Sequence, residues 1–299
     1  MPEYTLEDTV KHVSMVIITC NRKDELRVCL QSVVRQDYPS LETIVVDNNS
    51  TDGSATMIRE EFPWVNYILL EENIGIAARN RGFSEASGDL FITLDDDSEL
   101  PAENIISRIV KKFRENEKLG AAGFRIINEK IGETEEWFTP PAAAGENSDE
   151  HEGYMSPTIN TCGAAIRSEM FERTGGFWAP YHIYVEERDL ATRIISTGSE
   201  VRYFPTITII HHRPPKSTER GVYHYYMGRN MLWYIWRNFA FLTALKKTII
   251  HLFAGGFKAL KSGNILVWLK GVSEGFLHLG KALETRKPVK MEYLPLVNE

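Results

Sequence analysis

The stretch LFITLDDDSEL, residues 90–100, joins a run of apolar residues directly to three aspartates. The apolar half has the length and composition of a buried strand. The carboxylates of Asp95, Asp96 and Asp97 that follow it repel one another. Two explanations remain open: a divalent cation neutralises the three carboxylates, or they form a solvated acidic turn that caps the next helix.

On both sides of this stretch, the first part of the chain alternates short apolar runs with segments of helical periodicity. The apolar runs predict strands at 13–18, 43–47, 66–70 and 90–94, and the periodic segments predict helices at 24–36, 53–61, 76–87 and 103–118. Strands without polar alternation, separated by helices, indicate a parallel sheet covered on both faces. Such a sheet binds ligands beyond the carboxyl ends of its strands, where the aspartates lie.

The rest of the chain changes character at about Arg213. The sequence predicts a strand at 121–126, a long polar loop at 128–157, helices near 168–173 and 186–197, and strands near 201–211. Residues 1–212 carry a net charge of −16, whereas residues 213–299 carry +9 and are helical and aromatic in pattern. An acidic body and a basic helical segment with separate roles are therefore expected.

The composition of the chain is that of an ordinary folded protein, with 43% hydrophobic and 25% charged residues among 299. Its three cysteines stand at no metal-ligand spacing, which argues against a disulfide framework and a zinc site and suits a reducing cytoplasm. We expect no secretory signal, and no transmembrane helix because basic residues interrupt the apolar runs of the C-terminal third. The acidic body argues against nucleic-acid binding.

Polar side chains follow each of the four predicted N-terminal strands. They are Thr19, Asn21 and Arg22 after the first strand, Asp47 after the second, Asn73 and then Arg79 after the third, and the aspartate triplet after the fourth. Turn formation and helix capping explain such residues one at a time. Because the carboxyl ends of parallel strands meet at one edge of a sheet, their coincidence predicts a polar ligand site there.

Four segments taken together resemble the family 2 glycosyltransferases, which are inverting, nucleotide-sugar-dependent enzymes with a GT-A fold. The segments are VSMVIITCNR (13–22), IVVDNNSTDG (44–53), NIGIAARNRGFSEASGDLFITLDDD (73–97) and GGFWAPYHIYVEERDLATRI (175–194). The resemblance covers about residues 12–212. It implies an α/β architecture with a Rossmann-like, nucleotide-binding mixed sheet flanked by helices. It also implies a catalytic domain at 1–212, with a nucleotide-binding half at about 12–127 and an acceptor-binding half at about 128–212, before a C-terminal helical segment at 213–299.

The resemblance further implies roles for the residues that match the family's motifs. The triplet would act as the family's Asp-x-Asp motif, with Asp97 and His211 as ligands of a Mn²⁺ or Mg²⁺ ion. The residues implied in binding the nucleotide sugar are Thr19, Asn21, Arg22, Asp47, Asn73, Arg79, Asp95 and Asp96. Three acids in a row leave open which two contact the metal and the ribose. Whether His211 or His212 is the ligand also stays open, although adjacent side chains of a strand point to opposite faces.

A second acidic cluster, Glu186-Glu187-Arg188-Asp189, opens one of the predicted helices. Acids in a first turn favour the helix dipole, and Asp189 has Arg193 four residues further on as a partner for an ion pair. The family carries a Glu-Asp pair at this point, and its second member is the catalytic base. The resemblance therefore implies that Glu187 is the base, with Glu186 as the fallback.

The implied reaction transfers a sugar from a nucleotide-sugar donor to an acceptor hydroxyl in the synthesis of a cell-surface polysaccharide or glycolipid. UDP is the commonest nucleotide in the family, dTDP and GDP remain open, and the acceptor is a saccharide or a lipid-linked molecule. One alternative is a sugar-nucleotide nucleotidyltransferase, but the segment after the first strand, TCNRKDEL (19–26), lacks the expected glycines. The other alternative, a non-catalytic nucleotide-sugar-binding scaffold, is disfavoured by the intact acids.

The segment 222–285 mixes aromatic and basic residues on predicted helices. This pattern is typical of helices that lie on an anionic membrane surface, and it suggests a peripheral location on the inner face of the cell membrane. The alternatives are that the aromatic residues pack on the catalytic domain or form a homodimer.

Overall fold

The computed structural model describes residues 10–135, 153–212 and 220–297. The strands are β1 (Val13–Thr19), β2 (Leu41–Asp47), β3 (Asn66–Leu69), β4 (Leu90–Asp95), β5 (Ser98–Glu99), β6 (Leu119–Asn128), β7 (Glu133–Thr134), β8 (Tyr154–Met155), β9 (Gly163–Arg167) and β10 (Glu200–His211). The helices are α1 (Lys23–Val34), α2 (Ser54–Glu61), α3 (Ala77–Glu85), α4 (Ile105–Glu115), α5 (Ser168–Thr174), α6 (Glu186–Ile195), α7 (Arg220–Asn238), α8 (Phe241–Lys261), α9 (Ile265–Leu277), α10 (Leu279–Glu284) and α11 (Leu294–Val297).

The ten strands of the described residues belong to one sheet, in the order β3–β2–β1–β4–β9–β6–β10–β5, with β7 beside β6 and β8 beside β10. The first four strands in this order are parallel, as the sequence predicted. The pairing of β1 sets Thr19 opposite Asp47 on one side and Ile18 opposite Asp95 on the other. The polar ends of these strands therefore lie at one edge of the sheet.

The second half of the sheet departs from the parallel arrangement that the alternation of elements predicts. β9 runs antiparallel between β4 and β6, and β5 runs antiparallel beside β10. The sequence does not predict β9, because GAAIR (163–167) is short and poor in bulky β-branched residues. A side chain at Gly163 would place its Cβ only 2.6 Å from Ile209, so close packing explains the glycine. The mixed sheet that the family resemblance implies is thus confirmed.

Two apolar cores cover the opposite faces of the sheet. Met15 and Ile17 of β1 belong to one core, together with residues of α1 and α4, whereas Val16 belongs to the other, with residues of α6 and α7. The predicted loop at 128–157 contains the short strands β7 and β8, and its central part, 136–152, lies outside the described residues.

The C-terminal helices begin with α7, which packs on the second core. Its Trp233 and Tyr234 are only 2% and 3% exposed, so these two aromatic residues face the sheet and its covering helices rather than the surface. Helices α8 and α9 pack against α7. In the part of the chain that the structure describes, no helix combines the length and the apolar character that crossing a membrane requires.

Candidate active site

A cleft of about 630 Å³ opens at the edge of the sheet where β1, β4 and β10 end. Segments 158–162 and 182–187 line it together with these strand ends. The candidate site residues that line it are Thr19, Arg22, Asn73, Arg79, Asp95, Asp96, Asp97, Glu186, Glu187 and His211. The structure therefore brings together all the candidates except Asn21 and Asp47.

Each carboxylate of the triplet has at least one polar partner, and Arg22 lies within ion-pair distance of both Asp96, at 3.6 Å, and Asp97. Asp95 forms an ion pair with Arg79, Asp96 accepts a hydrogen bond from Thr19 Oγ1 at 2.8 Å, and Asp97 forms an ion pair with Arg22. The guanidinium of Arg79 is itself buried, and its Nη2 also donates to the carbonyl of Thr161 at 3.3 Å. The mutual repulsion of the aspartates is thus partly offset from three directions.

Burial and neighbouring charges affect Asp96 and Asp97 in opposite ways. Burial raises the pKa of Asp96 to about 7, even though the charge of Arg22 opposes the shift. Burial would raise the pKa of Asp97 too, but hydrogen bonding and charge from His211, together with Arg22, lower that pKa to about 2. Asp97 is therefore ionised at neutral pH, as a metal ligand must be.

Asp95, Asp97 and His211 each offer one ligand atom, and these atoms lie within 4.8 Å of one another. Carboxylate oxygens and an imidazole nitrogen suit a divalent ion such as Mn²⁺, so the residues fit the metal that the sequence predicts. Burial would lower the pKa of His211, but Asp97 and Glu135 raise it to about 10. An ion bound here would take the place of the proton that His211 otherwise shares with Asp97.

The two histidines at the end of β10 have different surroundings. His211 Nδ1 lies 3.0 Å from Glu135 Oε1, which orients the ring so that Nε2 points to the triplet. His212 contacts Glu99 and Glu129 instead, at 3.0 and 2.6 Å. The pairing of β10 with β5 therefore turns His211, and not His212, toward the cleft.

Glu187 lines the cleft from the first turn of α6. Thr161 donates two hydrogen bonds to Glu187 Oε1, from its backbone N at 3.0 Å and its hydroxyl at 2.9 Å. Burial raises the pKa of Glu187, although these hydrogen bonds favour the charged form. A carboxylate with a raised pKa and a fixed orientation is suited to accept a proton.

Glu186 has a different environment although it also lines the cleft. It is 4% exposed, and its Oε2 has no hydrogen-bond partner within the described ranges. Burial, together with the charge of Glu187, raises the pKa of Glu186 well above its usual value. Glu186 therefore keeps its proton more readily than an ordinary glutamate.

Asp189, the third acid of this turn, is buried away from the cleft. It forms ion pairs with Arg193, as its spacing predicted, and with Arg237 of α7, and it accepts a hydrogen bond from Asn238 Nδ2 at 2.6 Å. Burial would raise the pKa of Asp189, but the two arginines outweigh burial and lower it. Asp189 therefore connects α6 to α7.

The 181–185 loop, which leads into α6, has an unusual backbone conformation. His182, Tyr184 and Val185 have positive φ angles of 65°, 64° and 77°, which are unfavourable for residues other than glycine. The loop also approaches Gly75 so closely that a Cβ there would lie 2.5 Å from the His182 ring. Other contacts must therefore hold this loop in place.

Those contacts come from α7. Asn230 is fully buried, and its Nδ2 lies 3.1, 2.8 and 2.9 Å from the carbonyl oxygens of Tyr181, Ile183 and Tyr184. Arg229 Nη2 donates to the Tyr181 carbonyl as well, at 2.9 Å. The C-terminal segment thus fixes a wall of the cleft.

Asn21 and Asp47 contact the turn after β2 instead of lining the cleft. Asp47 accepts hydrogen bonds from Tyr67 Oη and from the Ser50 backbone N, both at 2.7 Å. Asn21 Oδ1 accepts one from the Thr51 backbone N at 2.7 Å. Both side chains therefore use their acceptor groups within the protein.

Several residues that line the cleft were not among the site residues predicted from the sequence. They include Glu135, Thr161, His182 and Tyr184. No local pattern distinguishes them, because each reaches the cleft only through the packing of distant segments. The nearness of His182 and Tyr184 to the acidic pair at the start of α6 was the one available signal.

The fold and the site together define a GT-A type of domain, with a Rossmann-like mixed sheet, an acidic motif at a strand end and an acidic pair across the cleft. The chain belongs to the glycosyl transferase family 2, whose model matches residues 14–175 of its 299.

Two curated proteins illustrate the similarity of this chain to known relatives. The probable glycosyltransferase YdaM of Bacillus subtilis (strain 168) is 28% identical over 211 residues, which cover 64% of this chain and 49% of YdaM. The undecaprenyl-phosphate 4-deoxy-4-formamido-L-arabinose transferase of Serratia proteamaculans (strain 568) is 32% identical over 145 residues, covering 46% and 42%. The chain thus spans about half the length of these relatives or less.

Solved structures confirm the GT-A fold. The mannosyltransferase PcManGT from Pyrobaculum calidifontis, in complex with GDP-Man and Mn²⁺, aligns with a TM-score of 0.60 at 18% identity and covers 98% of this chain and 85% of its own. GalNAc-T7 with UDP, GalNAc and Mn²⁺ aligns with a TM-score of 0.58 at 18% identity, covering 77% and 51%.

Proposed function

We propose that this protein is a metal-dependent, inverting glycosyltransferase that moves a sugar from a nucleoside-diphosphate sugar to an acceptor hydroxyl. The observation that supports it best is the set of residues that line this cleft. Asp95, Asp97 and His211 form a metal-binding group there, and Glu187 lines the same cleft as a candidate base. The family and its relatives support sugar transfer as the reaction class.

In this proposal Asp97 and His211, with Asp95, hold a Mn²⁺ or Mg²⁺ ion. When bound, the ion stabilises the charge that develops on the leaving diphosphate. Arg22, which is partly exposed beside Asp97, adds a positive charge near the same position. The Mn²⁺ in two structural neighbours supports this ion as the first to test.

Glu187 acts as the general base. It takes the proton of the acceptor hydroxyl while that oxygen attacks the anomeric carbon from the face opposite the diphosphate. One carbon–oxygen bond forms as the bond to the diphosphate breaks, so the configuration inverts. The burial that raises the pKa of Glu187 makes it a stronger base, and the two hydrogen bonds from Thr161 hold it in place.

The remaining predicted residues would bind the nucleotide part of the donor. Those that line the cleft are Thr19, Arg22, Asn73, Arg79 and Asp96, and Asp95 would stand between the nucleotide and the metal group. Asn21 and Asp47 would contribute indirectly, because their side chains accept hydrogen bonds from the turn after β2 and fix its position. UDP is the first nucleotide to test, followed by dTDP and GDP.

We also propose that residues 1–212 form the catalytic domain and that the helices after it place the enzyme on the inner face of the cell membrane. The name of the Serratia relative, an undecaprenyl-phosphate transferase, supports a lipid-linked acceptor, and a saccharide is the alternative. A homodimer remains a prediction for light scattering to test.

The experiment combines a thermal-shift screen with a transfer assay. A true donor with Mn²⁺ should stabilise the protein by mass action, and UDP-, dTDP- and GDP-sugars are compared in parallel. Glu187→Gln should retain donor binding, because its amide oxygen still accepts from Thr161, but should lose about 10²–10⁴ in transfer rate. Asp97→Asn should lose the metal-dependent part of the shift.

Glu172→Gln provides a matched control, since this glutamate is exposed on α5. It should leave both measurements unchanged. Near-normal transfer by Glu187→Gln would remove the base assignment. A protein that no nucleotide sugar stabilises with either ion would contradict the proposed reaction.

A further inference from the structure

The long helix α8 packs with its small residues inward and its large apolar residues outward. Ala244, Thr248 and Ala259 are buried, and Gly255 packs so closely that a Cβ would lie 3.1 Å from Trp268. The outward residues are Leu242, Leu245, Ile249, Phe253, Phe257 and Leu260, which recur at the spacing of one helix face. A helix surrounded by water has the opposite arrangement.

The exposed fractions of these side chains are large. Leu242 is 77% exposed and Phe253 79%, and Phe257 and Leu260 follow at 60% and 62%. Single exposed apolar residues are common on proteins, but a continuous stripe along a 21-residue helix marks an interaction surface.

Helix α9 repeats this arrangement. Its Gly271 and Gly275 pack against α7, where a side chain at Gly271 would collide with the carbonyl of Tyr225. Leu266 and Leu277 of the same helix are 79% and 78% exposed. The outward-facing apolar residues of α8 and α9 are called the α8–α9 face below.

The charge around this face is mainly positive. Helices α8 and α9 contain the lysines Lys246, Lys247, Lys258, Lys261 and Lys270 and one acid, Glu274, which is turned toward Tyr225 and Arg229 of α7. The ammonium of Lys261 lies 4.6 Å from the centre of the Phe257 ring, so cationic and apolar groups share the surface. A second copy of the chain placed on this face would bring like charges together, which is unfavourable.

We propose that the α8–α9 face docks onto a lipid bilayer that carries anionic headgroups. Apolar side chains enter the boundary between headgroups and acyl chains while the lysines extend to the phosphates, and the helices lie in the plane of the membrane. The face differs from the aromatic residues of α7, of which Trp233 and Tyr234 are buried. The inference makes the proposed membrane location specific and does not depend on the sugar-transfer chemistry.

The test measures binding of the full-length chain to vesicles by co-sedimentation. Vesicles of phosphatidylcholine with about 30% phosphatidylserine are compared with vesicles of phosphatidylcholine alone at two salt concentrations. The wild type should bind the anionic vesicles more tightly, and changing any one of Lys246, Lys258, Lys261 and Lys270 to glutamine should lower binding by about five-fold. Phe253→Ser with Phe257→Ser should lower it on the order of tenfold or more.

Trp64→Ser is the matched control, because Trp64 is an aromatic residue 49% exposed on the catalytic body. It should bind vesicles as the wild type does. The melting temperature of each variant without any ligand shows whether it is folded, so a failure of the donor screen does not affect this test. Failure of the folded wild type to bind anionic vesicles overturns the proposal. Unchanged binding by the double phenylalanine variant also overturns it. A third contrary result is a wild-type dimer that does not bind vesicles and that the double variant dissociates.

Discussion

Asn230 of α7 is predicted to control the 181–185 loop, which lines the cleft next to Glu187. In Asn230→Leu the volume of the side chain is nearly kept, but its donors are lost, as is the oxygen that accepts from Arg229 Nε at 2.9 Å. Arg229 still reaches the carbonyl of Tyr181, at 2.9 Å, so the main loss falls on the carbonyls of Ile183 and Tyr184. An acceptor left without its donor costs about 1–3 kcal/mol when buried, and since these two carbonyls are partly buried the loop conformation loses about 2 kcal/mol, the lower end for two groups.

The conformation of the loop is unfavourable by itself, so it depends on these hydrogen bonds. Its three residues with positive φ each add an unfavourable contribution of about 1–2 kcal/mol, which the contacts of Asn230 now offset. We therefore expect the loop to open locally before the rest of the protein unfolds. Hydrogen exchange at residues 182–185 should become faster by a factor of about 30 or more, since 2 kcal/mol corresponds to roughly that ratio. Sugar transfer should fall with it.

Thr248→Val is the control for a general loss of stability in the C-terminal helices. Thr248 is buried and accepts a hydrogen bond from Trp236 Nε1 at 3.0 Å, far along the chain from the loop. Both variants should shift the urea midpoint, but only Asn230→Leu should change exchange in the loop. If Asn230→Leu shows wild-type exchange at 182–185 and normal transfer, the positioning role of Asn230 is wrong.

Two further predictions concern the buried acids at the start of α6. Glu186→Gln should gain stability over the wild type as pH rises above about 4.3, the unfolded pKa of a glutamate. The raised pKa of Glu186 means that the folded state binds the proton more tightly than the unfolded state does. The free energy of unfolding of the wild type therefore falls as pH rises from the unfolded pKa to the folded pKa of Glu186. Urea unfolding of both proteins at pH 5 and pH 8 checks the sign. Asp189→Asn should lose about 3–5 kcal/mol at neutral pH, because Arg193 and Arg237 keep their buried charges without a counter-charge. Because the pKa of Asp189 is lowered, its contribution to the free energy of unfolding is fully present above about pH 4 and is lost as pH falls through the folded pKa. The stabilities of the wild type and Asp189→Asn should therefore converge in acid. A difference that stays constant with pH would contradict the ion pairs assigned to Asp189.

The local order of elements was readable from the sequence because it depends on short-range periodicity. Apolar runs and helical repeats predicted the four parallel strands and the helices between them, and the register of β1 then brings Thr19 and Asp95 to the same edge. Strand β9 was not predicted, because its five residues have little propensity for β-structure. Only the close approach of Ile209 in the folded protein explains the glycine at position 163.

The candidate site divides in the same way. The acidic triplet, Glu187 and the histidine pair stood out by composition and by resemblance to a family. The choice of His211 over His212 required the pairing of β10 with β5 and the contact of His211 with Glu135. Adjacent strand residues point to opposite faces, so the sequence determined that one histidine faces the cleft, and only the tertiary structure decided which one.

The C-terminal segment shows this limit most clearly. Its charge and its aromatic residues were visible in the sequence, and they predicted a basic helical segment. Burial depends on which helix face meets which neighbour, and a single helix does not contain that information. Only the packed structure turns Trp233 inward, directs Asn230 to the loop beside the cleft and leaves Phe253 at the surface.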